Sequence, residues 1–171
     1  FRHMAKTDRV TIVSCSHRGL PKTSVAAGGN LKIVRFPYPN PKAYLRRALR
    51  AMRGRRFDVI QVDNRPTYLP AVRKTFPKTP VVLFLHSLTF LNRLSRRRAN
   101  AVLRHADGVA CVASFVADTY KKRFPKHARK FRRVLLGVDT RKFAPRSVKF
   151  KRRLRKKWGV GGTFNLLFVG R

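Results

Sequence analysis

The sequence predicts an α/β fold built on a mostly parallel sheet with flanking helices. Three observations carry that expectation. Short apolar runs alternate with amphipathic basic segments along the chain, the rhythm of parallel strands joined by crossover helices. The run Val81-Val82-Leu83-Phe84-Leu85 is continuously apolar, as a parallel strand covered on both faces requires. Gly and Pro fall between these runs rather than inside them.

In chain order, residues 10–14 form the first strand, and a loop rich in Gly and Pro leads to residues 31–36. The alternation of Leu31-Lys32-Ile33-Val34-Arg35-Phe36 predicts an edge or half-buried strand. Between them, Ala26-Ala27-Gly28-Gly29-Asn30 reads as a turn and not as a phosphate cradle, because a strand follows it where a cradle needs a helix. Asn40 is placed to cap a helix with Pro41 at its first position and Tyr44, Leu45, Ala48, Leu49 and Met52 on one face, and Gly54 stops it. Residues 58–62 predict a central strand, with Asp63-Asn64-Arg65-Pro66 at its carboxyl end. Tyr68, Leu69, Val72 and Phe76 mark the next helix, ended by Pro77. His86-Ser87 follows the strand 81–85 directly. Residues 94–105 read as a helix with Leu94, Ala101 and Val102 inward and Arg96-Arg97-Arg98 outward. A strand over 108–112 leads to a helix capped by Ser114 and carrying Phe115, Val116 and Tyr120, and residues 131–136 form the last strand of this part. Ser147 caps a helix running through Trp158, Gly159 ends it, and a further strand starts over 164–169. The count is about six strands with three or four helices between them.

The 43% hydrophobic fraction suits a folded domain, and at 171 residues one core is the natural expectation. No apolar run reaches the length of a membrane span. Phe1-Arg2-His3-Met4 reads as an expression remnant ahead of a start methionine. Cys15 and Cys111 both fall in strand-like segments and read as two buried, reduced thiols, which suits a cytoplasmic protein. The two Cys and five His nowhere approach a zinc-ligand spacing, so no metal is expected, and neither Cys has a neighbouring His to activate it.

The charge balance is abnormal. There are 42 Lys plus Arg against six acids, a net charge of +36, although the total charged fraction is an ordinary 28%. All six acids are Asp, and Asp58, Asp107 and Asp139 fall at turns or strand entries, where a short carboxylate accepts from nearby backbone N–H groups. Glu is absent, and helix faces that ordinarily carry it carry Arg and Lys. Two explanations compete: a polyanionic partner such as nucleic acid, bound without sequence preference, or a surface supercharged by replacement of its acids. Phe124, Phe131, Phe143 and Phe150 lie among the bases, but their spacing suits a core better than a base-stacking platform.

In an open parallel sheet, ligands bind beyond the carboxyl ends of the strands. That rule selects two places, Asp63-Asn64-Arg65-Pro66 and His86-Ser87. An imidazole at a strand end can bond a sugar hydroxyl as donor or acceptor, or can simply satisfy backbone groups. The polar quartet can line a pocket, with Arg65 reading an anionic group, or can be a plain turn held by Asp and Asn. Asp139 in Gly137-Val138-Asp139 reads as a turn-former.

Gly137-Val138-Asp139 with Phe143 and Pro145, followed by Val169-Gly170-Arg171, resembles the joint between the two halves of a GT-B retaining glycosyltransferase of family 4. Phe84-Leu85-His86-Ser87 matches the same family, and the resemblance covers most of the chain from Asp58 onward. It implies a Rossmann-like acceptor-side domain over residues 5–146, then an interdomain helix and the first strand of a nucleotide-sugar domain over 147–171. It also implies sugar transfer from a nucleotide sugar to a saccharide or lipid acceptor, with His86 contacting the donor sugar in the cleft. Asp63, Asn64, Arg65 and Ser87 would then face the acceptor, and Arg171 would hold the donor diphosphate with its planar fork of donors. The family's paired glutamates and its nucleotide pocket belong to the second half, so this stretch is expected to need no cofactor of its own and to transfer no sugar alone. The family's opening strand, Gly-rich loop and first helix are not recognisable here.

Overall fold

Local signals in the sequence become seven strands and six helices among the described residues of a computed structural model, which cover 1–164 and 166. The strands are β1 (Val10–Cys15), β2 (Thr23–Ala26), β3 (Leu31–Phe36), β4 (Ile60–Asp63), β5 (Val81–Leu85), β6 (Gly108–Cys111) and β7 (Phe131–Arg133). The helices are α1 (Pro41–Met52), α2 (Leu69–Thr75), α3 (Thr89–Asn92), α4 (Arg96–Leu103), α5 (Ser114–Arg123) and α6 (Val148–Lys157). The chain separates into a unit over residues 1–135 and a second from Leu136 onward.

In the first unit, hydrogen bonding groups the strands as β1-β3-β2 and β4-β5-β6-β7. All pairings are parallel except β2 with β3. The loop expected before residue 31 thus contains a strand, and β3 is flanked on both sides, half-buried but not an edge. The turn at Ala27–Gly29 closes the β2–β3 hairpin, with Gly28 at φ 61. Among the described residues β4 pairs with β5 alone, so the strand expected to be central is the outer member of its hydrogen-bonded set. It also starts at Ile60, leaving Val59 exposed.

One apolar cluster joins these elements. Val62, Val81, Leu83, Leu85, Val109 and Cys111 supply its sheet side, and Leu69, Val72, Ala99, Leu103 and Tyr120 its helix side. Val13, Val34 and Phe36 of β1 and β3 pack against the same cluster. On α4 the inward positions are Ala99, Val102 and Leu103; Ala101 points to solvent, because the helix starts at Arg96 and its register places 99, 102 and 103 on the buried side. Tyr120, Phe124 and Phe131 form an aromatic knot with ring centroids 5.7–6.5 Å apart, whereas Phe143 and Phe150 are exposed and belong to no core.

Caps and ties hold the connections. Asn40 Oδ1 accepts from the Ala43 N–H at 2.8 Å, starting α1 as its sequence predicts, and Gly54 at φ 80 follows its end. Ser114 does not cap α5: it is the first helical residue, Ala113 is the cap, and Ser114 Oγ accepts instead from Arg133 Nη1 at 3.2 Å. Behind the amino-terminal ends of β5 and β6, Asp107 accepts from the Val81 N–H at 2.7 Å and from Arg73 Nη2 at 2.5 Å. Burial works against that carboxylate, yet these donors and the charge of Lys130 hold its pKa below the usual value. Lys130 Nζ closes the end of α4 by donating to Leu103 O at 3.1 Å and Ala106 O at 2.6 Å. Cys111 is buried, and burial pushes its thiol up to about 11. Cys15 is exposed, because it ends β1 where the sheet stops covering it.

The last strand is shorter than its apolar sequence predicts. It stops at Arg133, and Val134, Leu135 and Leu136 are exposed. In the second unit, Asp139 Oδ1 accepts from the N–H groups of Arg141 and Lys142, forming the expected turn. Ser147 Oγ accepts from the Phe150 N–H at 3.3 Å to start α6, and Gly159 at φ 64 follows its end. The strand expected over 164–169 falls largely outside the described residues, as does Arg171.

Candidate functional site

The carboxyl ends of β4 and β5 lie side by side, with Asp63 opposite Phe84 in the parallel register. One residue further, the chain after β4 turns at Asn64, which takes a left-handed φ of 51 that asparagine tolerates better than most residues. From that conformation Asn64 ties the two strand ends together twice. Its N–H donates to Phe84 O at 2.9 Å, and its Oδ1 accepts from the His86 N–H at 3.0 Å. The strand-end loop and the strand-end histidine are therefore one structure, joined across 22 residues of sequence.

Phe84 on β5 and His86 just past its end are two apart in an extended stretch, and their rings lie 4.8 Å apart at 48°. Gln61 and Asp63 make the corresponding pair on β4, with Gln61 Nε2 donating to Asp63 Oδ1 at 3.0 Å. That same oxygen is 3.9 Å from His86 Nε2, beyond a hydrogen bond but close enough for attraction when the ring is protonated. Both side chains are nearly half exposed, at 45% and 44%. The result is an imidazole and a carboxylate presented together to solvent on an ordered ledge, an arrangement able to donate to and accept from adjacent hydroxyls of a polyol.

The remaining expected residues are placed differently. Arg65 donates from Nη1 to Asn64 O at 3.1 Å, and its guanidinium lies 4.7 Å from the Phe90 ring centroid, so it is stacked on α3. Ser87 Oγ accepts from the Thr89 N–H at 3.3 Å and helps start α3. The next residue, Leu88, is fixed by Tyr120, whose hydroxyl donates to Leu88 O at 2.6 Å. Asp63, Asn64 and His86 converge; Arg65 and Ser87 support the loops around them.

Three tyrosines near the same strand ends carry no site signal in the sequence: Tyr44 and Tyr68 read as helix-face residues, and Tyr38 falls among prolines. Tyr38 follows β3, Tyr44 lies on α1 and Tyr68 precedes α2, with ring centroids 5.3 Å (Tyr38–Tyr44) and 6.4 Å (Tyr44–Tyr68) apart. Burial raises the Tyr68 hydroxyl to about 12, Tyr38 adds to the rise and Arg65 opposes it. That hydroxyl is buried and meets no hydrogen-bond partner of good geometry among the described residues. Among those residues no group of three or more His, Cys, Asp or Glu is arranged to hold a metal ion.

Residues 2–142 match the family model described as Glycosyltransferase Family 4. The chain belongs to glycosyltransferase family 4. Two relatives come from Bacillus subtilis (strain 168). Spore coat protein SA is 25% identical over 173 residues, covering 98% of this chain and 45% of that protein. The putative glycosyltransferase YtcC is 27% identical over 167 residues, covering 95% of this chain and 40% of that protein. Among solved structures, HepE of Anabaena in complex with UDP-glucose superimposes with a TM-score of 0.62 at 15% identity, over 90% of this chain and 51% of HepE. The same protein in complex with UDP gives 0.61. This family 4 chain thus spans about half the length of these relatives, and its α/β fold has the GT-B, Rossmann-like architecture. No helix among its described residues is long and apolar enough to cross a membrane.

Proposed function

We propose that this chain supplies the acceptor-side half of a retaining glycosyltransferase that moves sugar from a nucleotide sugar to a saccharide or lipid acceptor. The observation that carries the reading is the Asn64 clamp, which presents Asp63 and the His86 ring together at the carboxyl ends of β4 and β5 in a family 4 chain. His86 would bond a hydroxyl of the donor sugar, and Asp63 and Asn64 would line the acceptor side, with Arg65 and Ser87 holding the loops. Residues 5–146 would form that half and 147–171 the passage to a donor-binding half, where Arg171 would meet the diphosphate. HepE, solved with UDP-glucose and with UDP, supports a uridine nucleotide sugar as the donor class to test first. Transfer then requires the donor-binding half, and this half alone is expected to turn over no nucleotide sugar.

The test is a titration of the 15N-labelled chain with UDP-glucose and with neutral and uronate-containing oligosaccharides. Amide shifts should centre on residues 63–65 and 86–87, and His86→Ala should weaken the interaction about tenfold, the loss of roughly 1.4 kcal/mol. Shifts centred elsewhere, or absent for the whole panel, would refute the reading.

A second reading, polyanion binding, is favoured by α6. Its sequence VKFKRRLRKK holds seven bases and no acid in ten residues, and none of them is buried. Such a helix neutralises phosphates without reading bases, so binding to duplex DNA should fall steeply with salt. A flat response between low and moderate salt removes this reading.

A further inference from the structure

A groove of ≈ 400 Å³ runs between α1 and α2, away from the strand-end ledge. Its floor is apolar: Leu45 and Leu49, one helical turn apart, and Ala71 from α2. All three are half-buried, and the two leucines also touch the core cluster. Its rim is basic. Lys42, Arg46, Arg50 and Arg53 follow one another at helical spacing along one wall, and Lys74 faces them from α2. The five bases are exposed. Among the described residues the ion pairs are Arg73–Asp107, His86–Asp63 and Lys121–Asp118, so none engages this rim.

A row of like charges at i,i+4 spacing works against the helix that carries it. Residues 42–56 hold seven bases and no acid, so no partner for the row exists nearby in sequence. From the charge, the recess and the apolar floor together, we infer that the α1–α2 groove is a docking site for an acidic amphipathic helix of a partner protein. Its leucine ridge would seat on Leu45, Leu49 and Ala71, and its flanking carboxylates would meet the basic rim. The row from Lys42 to Arg53 spans about 16 Å at the helical rise, matching roughly three turns of such a ligand.

The same observations disfavour the other occupants. A bilayer needs apolar atoms standing above the surface, whereas these leucines lie below their ring of bases. Nucleic acid gains nothing from an apolar floor. A second copy of the chain offers no acidic helix, since its acids are six scattered Asp. The inference is independent of any role in sugar transfer.

The test uses the whole chain and a fluorescent synthetic peptide of about 18 residues, long enough to be helical, with Leu and Glu segregated on opposite faces. A control peptide has the same composition with the two types interspersed. Anionic phosphatidylglycerol vesicles and duplex DNA are titrated in parallel. The segregated peptide should bind at least about tenfold more tightly than the control. Arg46→Glu with Arg50→Glu should abolish that preference, as should Lys74→Glu made separately from the other wall. Arg97→Glu with Arg98→Glu, on the exposed face of α4, should leave it unchanged. Circular dichroism verifies that each variant is folded. Equal binding of both peptides would overturn the inference, reducing the groove to part of a general positive field. It would also be overturned if the groove substitutions weakened vesicle or DNA binding and left the peptide preference intact.

Discussion

Replacing Asn64 separates two contributions that the ledge combines. In Asn64→Ala the His86 N–H loses its acceptor, which costs about 0.5–1.5 kcal/mol at a partly exposed position. Alanine must also hold the left-handed backbone at φ 51, a conformation worth roughly 1–2 kcal/mol against an ordinary L-residue, though asparagine itself bears part of that. The sum is about 1–3 kcal/mol, a sizeable part of a stability of roughly 5–15 kcal/mol. Asn64→Gly loses the same hydrogen bond but takes the left-handed conformation freely, so it should cost no more than about 1 kcal/mol. Asn64→Asp keeps an acceptor and should be nearly neutral. Urea unfolding followed by far-ultraviolet circular dichroism measures all three, and the His86 amide resonance reports the hydrogen bond directly. The order Ala, then Gly, then Asp from least to most stable is expected. If Ala and Gly were equally destabilised, the left-handed turn would not be what positions the clamp. If the His86 amide did not move in either, the Asn64–His86 bond would not be its principal environment.

Other perturbations probe the frame. Asp107→Asn replaces the charged acceptor shared by Arg73 and the Val81 N–H with a neutral amide, and after allowing for solvent screening it should cost about 1 kcal/mol. Because the folded pKa of Asp107 is depressed, its contribution is present above the unfolded carboxylate value near 3.8 and is lost as pH falls through the folded value. The stability gap between the parent and Asp107→Asn should therefore stay constant at neutral pH and close in acid; a gap that widened in acid would contradict the assignment. A thiol reagent at mild pH should modify exposed Cys15 in the native protein while sparing buried Cys111 until the chain unfolds, as read by mass spectrometry. Arg46→Glu and Lys149→Glu, each creating an i,i+4 pair with Arg50 on α1 or Arg153 on α6, should stabilise by about 0.2–0.5 kcal/mol each at low salt, with the gain shrinking as salt is added. A lowered thermal midpoint would mean that those basic faces are packed against something.

The elements announced most plainly by the sequence were those whose environment is the same along their whole length. β5 is covered on both faces and reads as five apolar residues in a row, and α1 carries its own cap, its own stop and an unbroken apolar face. These are local signals, needing no knowledge of what lies across the sheet. Strand lengths are not local. The apolar run after Phe131 reads as a strand to Leu136, yet β7 ends at Arg133, because β6, the strand it pairs with among the described residues, has four residues to offer. β2 is the opposite case: Thr23-Ser24-Val25-Ala26 has no strand pattern of its own, and pairing with β3 makes it one. The site divides in the same way. The rule that ligands meet parallel sheets at strand carboxyl ends picked out residues 63–66 and 86–87 from sequence alone. Only the folded chain shows that Asn64 grips the His86 backbone, that Asp63 faces the imidazole, and that Arg65 is stacked on Phe90. Those contacts join residues more than twenty positions apart, and parallel pairing brings them together; chain neighbours carry no trace of it.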